Sequence, residues 1–167
     1  MKRIVIKFGG TSVGSVEKII NVAKIVKRRH EEGNEIIVVV SAISGTTNDL
    51  IDKSKKVSDN FNKPELDVLM SSGEQISSSL LAGAIIELGI KARSWMGWQI
   101  PIFTNDNHAS SQIIQIKTDE ILNFISQKGV AVIAGFQGVS KYGRITTLGR
   151  GGSDLSAVAI AKFFKTD

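Results

Sequence analysis

Hydrophobic residues along the chain fall into two patterns, short continuous apolar runs and longer stretches with helical spacing. Residues 3–8, 35–40 and 130–136 are apolar runs that predict strands buried on both faces. Apolar residues at intervals of three and four predict a helix over residues 16–32, which Gly33 ends. A strand, a helix and a strand in this order predict a right-handed crossover, which makes the first two strands parallel.

The rest of the chain is predicted to alternate helices with shorter strand-like pieces. Such pieces flank Pro101 within residues 90–104, and IIQIK at 113–117 is predicted to be a strand. The predicted helices run from about Asp49, from Pro64 to Gly89 with a break near Gly73, from Thr118 to Gln127, and from about Asp154 to Phe164. This order of elements predicts the α/β class, with a mostly parallel sheet covered by helices.

Three of the predicted strands run into clusters of glycine or hydroxyl residues, at Gly9–Gly10, Ser41–Thr47 and Gly135–Gly138. In parallel sheets, ligands bind in the crevice beyond the carboxyl ends of the strands. The sequence therefore predicts a ligand site at this edge of the sheet.

The segment GGTSVGS, which joins the first strand to the first helix, has the features of an anion site. Gly9 and Gly10 let the backbone approach a ligand, the helix start offers free amides and a partial positive charge, and Ser12 adds a hydroxyl. Lys7 lies beside these glycines, where its charge suits a transferring phosphoryl group. The alternatives are an ordinary strand-to-helix turn, and a lysine whose head reaches water at an exposed edge.

A second glycine-rich segment, LGRGGSD, precedes the last predicted helix. Arg150 offers a planar fork that suits a carboxylate or a phosphate. Asp154 either supplies a carboxylate to the site or caps the helix, and Ser153 has the same two interpretations. Glu74 either accepts hydrogen bonds from a ligand ammonium or is simply a glutamate in the first turn of a helix.

Other polar side chains carry less information. Ser41 and Thr47 suit turns and caps as well as a ligand site, and His30 and His108 are isolated in the sequence and are assigned no role. Two glycine-rich helix starts, a lysine, an arginine and two carboxylates together favour a ligand with anionic groups and an ammonium. The residues thus predict a phosphate plus a zwitterionic small molecule.

Composition narrows the class of protein further. The chain has 167 residues, 42% hydrophobic and 22% charged, which is typical of a globular domain. The absence of cysteine excludes disulfides, thiolate metal sites and a cysteine nucleophile. No apolar run approaches the roughly 20 residues that span a membrane, and no signal peptide is recognised, so a cytoplasmic protein is expected.

The net charge of +5 is concentrated in the first strand and the first helix. The favoured interpretation is a solvated helix face whose cations suit the negative end of the helix dipole. A nucleic-acid patch is the alternative, ranked last because no aromatic residue interleaves with these cations and no binding motif is present.

Five segments, in order, resemble the aspartokinases of the amino-acid kinase family. The segments are KFGGTSVGS at 7–15, VVVSAISGTTN at 38–48, SSGEQIS at 71–77, GFQGV at 135–139 and TTLGRGGSDLSAVA at 146–159. The resemblance implies a three-layer α-β-α sandwich and transfer of the ATP γ-phosphoryl to the β-carboxylate of L-aspartate. The implied product is aspartyl phosphate, and the implied reaction is the first step in the biosynthesis of lysine, threonine and methionine.

The resemblance also implies a role for each site residue. Lys7 would neutralise charge on the phosphoryl group, and Asp154 would orient Lys7 and the reacting carboxylate. The phosphate oxygens would lie against Gly9, Gly10 and Ser12. The aspartate would be held by Ser41, Thr47, Glu74, Arg150, Gly152 and Ser153. ATP is the implied cofactor, with Mg2+ on its phosphates and no metal site formed by the protein.

Residues 1–167 are expected to form the N-terminal, aspartate- and phosphate-binding portion of such a catalytic domain. The adenine- and ribose-binding segment and the regulatory domains of the family are not recognised, so the fold is expected to be incomplete at its C-terminus. Self-association or a separate chain would then supply the missing half. The alternatives are a non-catalytic remnant or half of a split kinase, and a sister kinase with another acceptor.

Overall fold

The computed structural model describes residues 2–166, and the elements in this range alternate strands and helices. Its parallel sheet and the helices around it confirm the predicted α/β class. The strands are β1 (Arg3–Phe8), β2 (Glu35–Val40), β3 (Ala92–Trp95), β4 (Ile102–Thr104), β5 (Ile113–Ile116), β6 (Val130–Ala134), β7 (Gln137–Ser140) and β8 (Ile145–Thr147). The helices are α1 (Val16–Glu31), α2 (Thr46–Val57), α3 (Lys63–Glu87), α4 (Asp119–Ser126) and α5 (Gly152–Phe163).

The main sheet has the strand order β1-β2-β6-β3 and is parallel throughout. Successive residues of β2 point to opposite faces, as the pleat requires. Val38 and Val40 pack with α1 and α3, whereas Ile37 and Val39 pack with α4 and α5. The sheet therefore lies between two helical layers, and the predicted three-layer sandwich is confirmed.

The prediction that β1 is buried on both faces is wrong. All six residues of β1 are only partly buried, because β1 is the outer strand of the main sheet and pairs with β2 alone within residues 2–166. An apolar groove follows this outer edge, lined in part by Ile4, Ile6, Phe8 and Ile25. The central strands β2 and β6 are buried as predicted.

A second, mixed sheet has the order β5-β4-β7-β8 and contains a hairpin that the hydrophobic pattern did not predict. In that hairpin β7 and β8 are antiparallel, with Val139 opposite Ile145. The glycines in this stretch interrupt the alternation of apolar and polar residues that would indicate strands. Gly138 is required by packing, because a Cβ there would lie 2.7 Å from the carbonyl oxygen of Ile102.

Helix α3 runs unbroken from Lys63 to Glu87, so the predicted break near Gly73 is wrong. A glycine inside a helix costs about 1 kcal/mol relative to alanine. Here Gly73 lets the helix cross the segment after β2, since its Cβ would lie 2.8 Å from that of Ala42. Helix α2 begins at Thr46 rather than Asp49, and Gly45 in the left-handed region (φ 90°) precedes it.

Among residues 2–166, the structure contains no helix that is both long and apolar enough to cross a membrane.

Candidate functional site

An open cleft of about 520 Å³ lies at the carboxyl edge of the main sheet, where the sequence predicted a ligand site. Residues from β1, α3, the segment after β2 and the start of α5 meet there. The predicted site residues that line it are Lys7, Ser41, Thr47, Glu74, Arg150, Gly152, Ser153 and Asp154. Gly9, Gly10 and Ser12 are not part of its lining.

Glu74 is the most unusual group in the cleft. Its side chain is buried, with 3% exposure, and its Oε1 accepts a hydrogen bond from the Ala42 amide at 3.0 Å. Its Oε2 is buried without a hydrogen-bond partner in the described part of the chain. Burial raises the pKa of Glu74 to about 7, because desolvation outweighs the hydrogen bond from Ala42. Glu74 also lies in the interior of α3, so the first-turn interpretation is wrong.

Lys7 and Asp154 form an ion pair, with 2.8 Å between Nζ and Oδ1. The side chain of Lys7 is 29% exposed and that of Asp154 is 69% exposed, so the pair lies at the mouth of the cleft. Asp154 does not cap α5. The N-cap is Gly151, and no side chain bonds there, which leaves the Asp154 carboxylate for Lys7.

The loop after β1 is compact and follows the path that its glycines allow. The Gly9 carbonyl accepts hydrogen bonds from the amides of Ser12 and Val13, at 2.9 and 3.3 Å. A Cβ on Gly10 would lie 2.7 Å from the Ala42 carbonyl oxygen, and one on Gly9 would lie 3.4 Å from Lys7 Nζ. Gly9 thus keeps open the space beside the lysine, and Gly10 allows the loop to pack against the segment after β2.

Arg150 lies on a turn that glycines make possible. Gly149 and Gly151, on either side of it, adopt left-handed φ angles of 76° and 71°. Arg150 is exposed, lines the cleft, and makes no ion pair within residues 2–166. A Cβ on Gly152 would lie 2.5 Å from the ring of Phe136, so this glycine is required by close packing.

The hydroxyl residues of the cleft lie where strands end and helices begin. Ser41 follows β2, and its carbonyl accepts a hydrogen bond from the Ser77 hydroxyl at 2.7 Å. Thr47 lies in the first turn of α2. Ser153 lies in the first turn of α5, near enough to Gly135 that a Cβ there would be 3.0 Å from its Oγ. All three line the cleft.

Phe136 lines the cleft but was not recognised as a site residue from the sequence. It is one of four described non-glycine residues with a positive φ, 69° in its case. Its amide donates to the Ser156 hydroxyl at 2.9 Å, and its carbonyl accepts from Leu148. The position of Phe136 between glycines in GFQGV is the only sequence feature that marks it.

His108, which is isolated in the sequence, has a carboxylate partner in the tertiary structure. Its Nδ1 lies 2.7 Å from Oδ2 of Asp67, a carboxylate on α3 with 0% exposure. The sequence feature that marks Asp67 is its position seven residues before Glu74, on the same side of α3. No group of three or more metal-binding side chains is found in residues 2–166.

The basic end of α1 contains local ion pairs. Lys27 pairs with Glu31 at 3.8 Å, and Arg29 pairs with Glu32 at 3.3 Å. Cations in the last turn also suit the helix dipole. These contacts support the interpretation of a solvated helix face.

Comparisons with known proteins agree with the fold. The amino acid kinase family model matches residues 2–167. The aspartokinase of Bacillus sp. strain MGA3 is 47% identical over 167 residues, which are 100% of this chain and 41% of that protein. The crystal structure of aspartate kinase from Synechocystis has a TM-score of 0.84 and 41% identity, covering 100% of this chain and 27% of that one.

A more distant structure shows the same fold. Aspartokinase III from E. coli, crystallised in complex with aspartate and ADP, has a TM-score of 0.83 and 22% identity over 99% of this chain and 47% of that one. The chain belongs to the amino acid kinase family. It spans about 41% of the length of the curated aspartokinase that it matches.

Proposed function

We propose that this chain forms the aspartate- and phosphate-binding part of an aspartate kinase. The observation that carries the proposal is the buried Oε2 of Glu74, which has no hydrogen-bond partner among residues 2–166 and lies in a cleft that also contains Arg150 and Lys7. A buried carboxylate oxygen without a partner is costly, and an ammonium group of a ligand would relieve that cost.

The acceptor end of the cleft, Glu74 and Arg150, suits an amino acid. Glu74 would accept hydrogen bonds from the α-ammonium, and Arg150 would hold the α-carboxylate with its planar fork. Ser41, Thr47 and Ser153 would complete the contacts around the bound aspartate, with Gly152 leaving room beside it. The Arg150 guanidinium forms no ion pair with a described residue and is available for a ligand carboxylate.

The phosphate end of the proposed site consists of Lys7, which lines the cleft, and of Gly9, Gly10 and Ser12 in the adjoining loop, which do not line it. This end suits the phosphates of Mg–ATP. Gly9 would admit a phosphate oxygen next to Lys7, since even one Cβ there would come within 3.4 Å of Nζ. Asp154 would fix the direction of the lysine through their ion pair. The magnesium ion would arrive with the nucleotide, bound to its phosphate oxygens.

The proposed reaction needs little covalent help from the protein. A β-carboxylate oxygen of aspartate attacks the γ-phosphorus, a new P–O bond forms, and the bond to the β,γ-bridging oxygen breaks to release Mg–ADP. The acceptor carboxylate is ionised at neutral pH, so no base has to remove a proton. Positioning by the acceptor end and charge neutralisation by Lys7, which Asp154 orients, would supply the rate enhancement.

The buried carboxylate of Glu74 also indicates which class of acceptor fits the site. A sister kinase of an N-acetylated amino acid or of carbamate has no α-ammonium to place against this carboxylate. Free aspartate and free glutamate both carry one. The names of the curated relatives favour aspartate between these two.

The proposal is tested by phosphoryl transfer from Mg–ATP to aspartate, glutamate or N-acetylglutamate, with the acyl phosphate trapped by hydroxylamine. Aspartate-dependent product that disappears in Glu74→Ala, and persists in the exposed control Glu87→Ala on the same helix, would support an aspartate kinase. A preference for glutamate or N-acetylglutamate would instead favour a sister kinase with that acceptor.

Binding measurements separate the remaining alternatives. Aspartate binding without turnover would favour a binding module or one half of a split kinase. Activity that increases more steeply than the chain concentration would favour self-association as the source of the nucleotide site. A folded wild-type chain that neither binds aspartate nor turns it over would contradict the proposal.

A further inference from the structure

We infer that Asp67 is a positioning residue: through His108, Thr147 and the Ala109 amide it clamps the Arg150 turn at the correct separation from Glu74. This clamp is defined by those four residues and rests on the proposed function of the acceptor end. Asp67 does not line the cleft, so it acts through its neighbours rather than by touching substrate.

Three hydrogen-bond donors converge on the Asp67 carboxylate. The Thr147 hydroxyl donates to Oδ1 at 2.6 Å, His108 Nδ1 lies 2.7 Å from Oδ2, and the Ala109 amide lies 3.1 Å from Oδ1 and 3.2 Å from Oδ2. A carboxylate accepts only, so His108 carries its hydrogen on Nδ1. These donors come from the β4–β5 loop and the end of β8, and the carboxylate itself belongs to α3.

The clamp lies directly behind the Arg150 turn. Thr147 is the last residue of β8, three residues before Arg150, and its carbonyl accepts a hydrogen bond from the Ser111 amide at 2.9 Å. The β4–β5 loop in turn supports Gly149, whose Cβ would lie 3.1 Å from the Ala109 carbonyl oxygen. Ala109 is held at a φ of 68°, a strained value for a residue with a Cβ, and its amide is the one that Asp67 accepts.

The same helix carries both the clamp and the ammonium acceptor. Asp67 and Glu74 are seven residues apart on α3, which is about two turns and about 10 Å along the helix axis. Both are buried on one side of that helix. Asp67 therefore ties the turn that carries Arg150 to the helix that carries Glu74, so the separation of the two proposed substrate contacts depends on one rigid element.

Burying the Asp67 carboxylate costs desolvation free energy. Well-packed apolar residues at such a position often give a fold that is equally stable or more stable. They do not fix the direction of three separate donors, which is what placing a bidentate arginine requires. The cost is consistent with a role in geometry rather than in stability.

The test compares Asp67→Asn with Glu65→Gln. Both remove one negative charge from the same turn of α3, and Glu65 also bridges to the β7–β8 hairpin, through Arg144 at 2.6 Å, but on the surface. For Asp67→Asn we expect an aspartate KM raised about tenfold or more, with kcat at saturating aspartate and the KM for Mg–ATP within about twofold of wild type. Glu65→Gln should leave all three unchanged.

A milder pair keeps the test valid if Asp67→Asn does not fold. Thr147→Val removes one donor and should raise the aspartate KM, whereas Thr147→Ser keeps the hydroxyl and should restore it. His108→Asn, which keeps a donor near the Nδ1 position, should disturb the KM less than His108→Ala does. Equal KM values for Thr147→Val and Thr147→Ser would overturn the clamp.

Hydrogen exchange distinguishes failure of the clamp from failure of the proposed function. Faster amide exchange over residues 107–112 and 148–152 in Asp67→Asn, and not in Glu65→Gln, would support the clamp without any use of aspartate. Unchanged exchange, or unchanged aspartate KM in an active wild-type background, would overturn it. A wild-type chain without aspartate binding would overturn the proposed function, and with it the role of the clamp in substrate positioning.

Discussion

The acceptor end and the phosphate end of the proposed site use different kinds of groups. At the acceptor end, Glu74 is a buried side chain on a long helix, and the Arg150 turn is held from behind by buried hydrogen bonds. At the phosphate end, the chain offers a glycine loop and the half-exposed ion pair of Lys7 with Asp154. Fixed side chains select a small zwitterion, whereas an open loop with a single cation accommodates a phosphate chain that reaches out of the cleft.

The largest expected effect is on kcat, and it distinguishes the role of the phosphate end from that of the acceptor end. Lys7→Ala should reduce kcat by about a thousandfold, because it removes the charge that opposes the developing negative charge on the phosphoryl group. Aspartate binding, measured by calorimetry, should change by less than about threefold, since the lysine is not among the ammonium and carboxylate contacts. Lys24→Ala, on the exposed side of α1, is the control. Equal losses in kcat and in aspartate affinity would contradict the division into two ends.

The next effect concerns the acceptor end alone. Arg150→Ala should weaken aspartate binding by about fiftyfold, the value of a charge-assisted, bidentate contact. Arg150→Lys should recover only part of that loss, because an ammonium lacks the planar fork. The matched control is Arg144→Ala, which removes an arginine that pairs with Glu65 on the surface. An unchanged aspartate response in Arg150→Ala would remove this residue from the site.

A pH titration sharpens the role of Glu74. The ionised form binds an ammonium, and burial raises the pKa of Glu74 to about 7, so protonation competes with aspartate below that pH. The affinity should fall about tenfold for each unit below pH 7 and should be flat above it. Calorimetry between about pH 5.5 and 8.5 would follow this slope, because the α-ammonium of a free amino acid, unlike that of a peptide terminus, stays charged in this range. A Glu74→Gln variant that keeps the slope would assign the titration to another group.

The smallest expected effects are changes in folding stability on substitution of two glycines, Gly10 and Gly83. Gly10→Ala should destabilise the fold by about 1–3 kcal/mol, because the new Cβ meets the Ala42 carbonyl oxygen at 2.7 Å and both partners are backbone. Gly83→Ala should instead stabilise it by up to about 1 kcal/mol, because no described residue outside the helix backbone lies within 4 Å of the new Cβ and alanine favours a helix. Chemical denaturation of both variants measures the difference. A stable Gly10→Ala would show that the phosphate loop is free to move.

The fold was predictable where periodicity is strong. The apolar runs at 35–40 and 130–136 predicted buried strands, which the structure places at Glu35–Val40 and Val130–Ala134. The spacing in residues 16–32 predicted a helix, which runs from Val16 to Glu31. Burial on both faces of a sheet, or on one face of a helix, imposes such a pattern on the sequence. The hairpin β7–β8 and the unbroken α3 were not predictable. Their glycines, Gly138 and Gly73, are explained by close packing against residues far away in the sequence.

What the sequence by itself determined is the chemistry available: which side chains carry charge, and which glycines stand next to strand ends. That was enough to predict a site for a phosphate and a zwitterion, which stays a prediction. It was also enough for the resemblance to the aspartokinases, which the family match and the relatives confirm. Only the tertiary structure decided that Glu74 keeps one oxygen buried and without a partner in the described part of the chain, and that Asp67 and His108, 41 residues apart, form one cluster. The burial and pairing of these side chains depend on which distant segments of the chain come into contact, and a local sequence pattern contains no information about that.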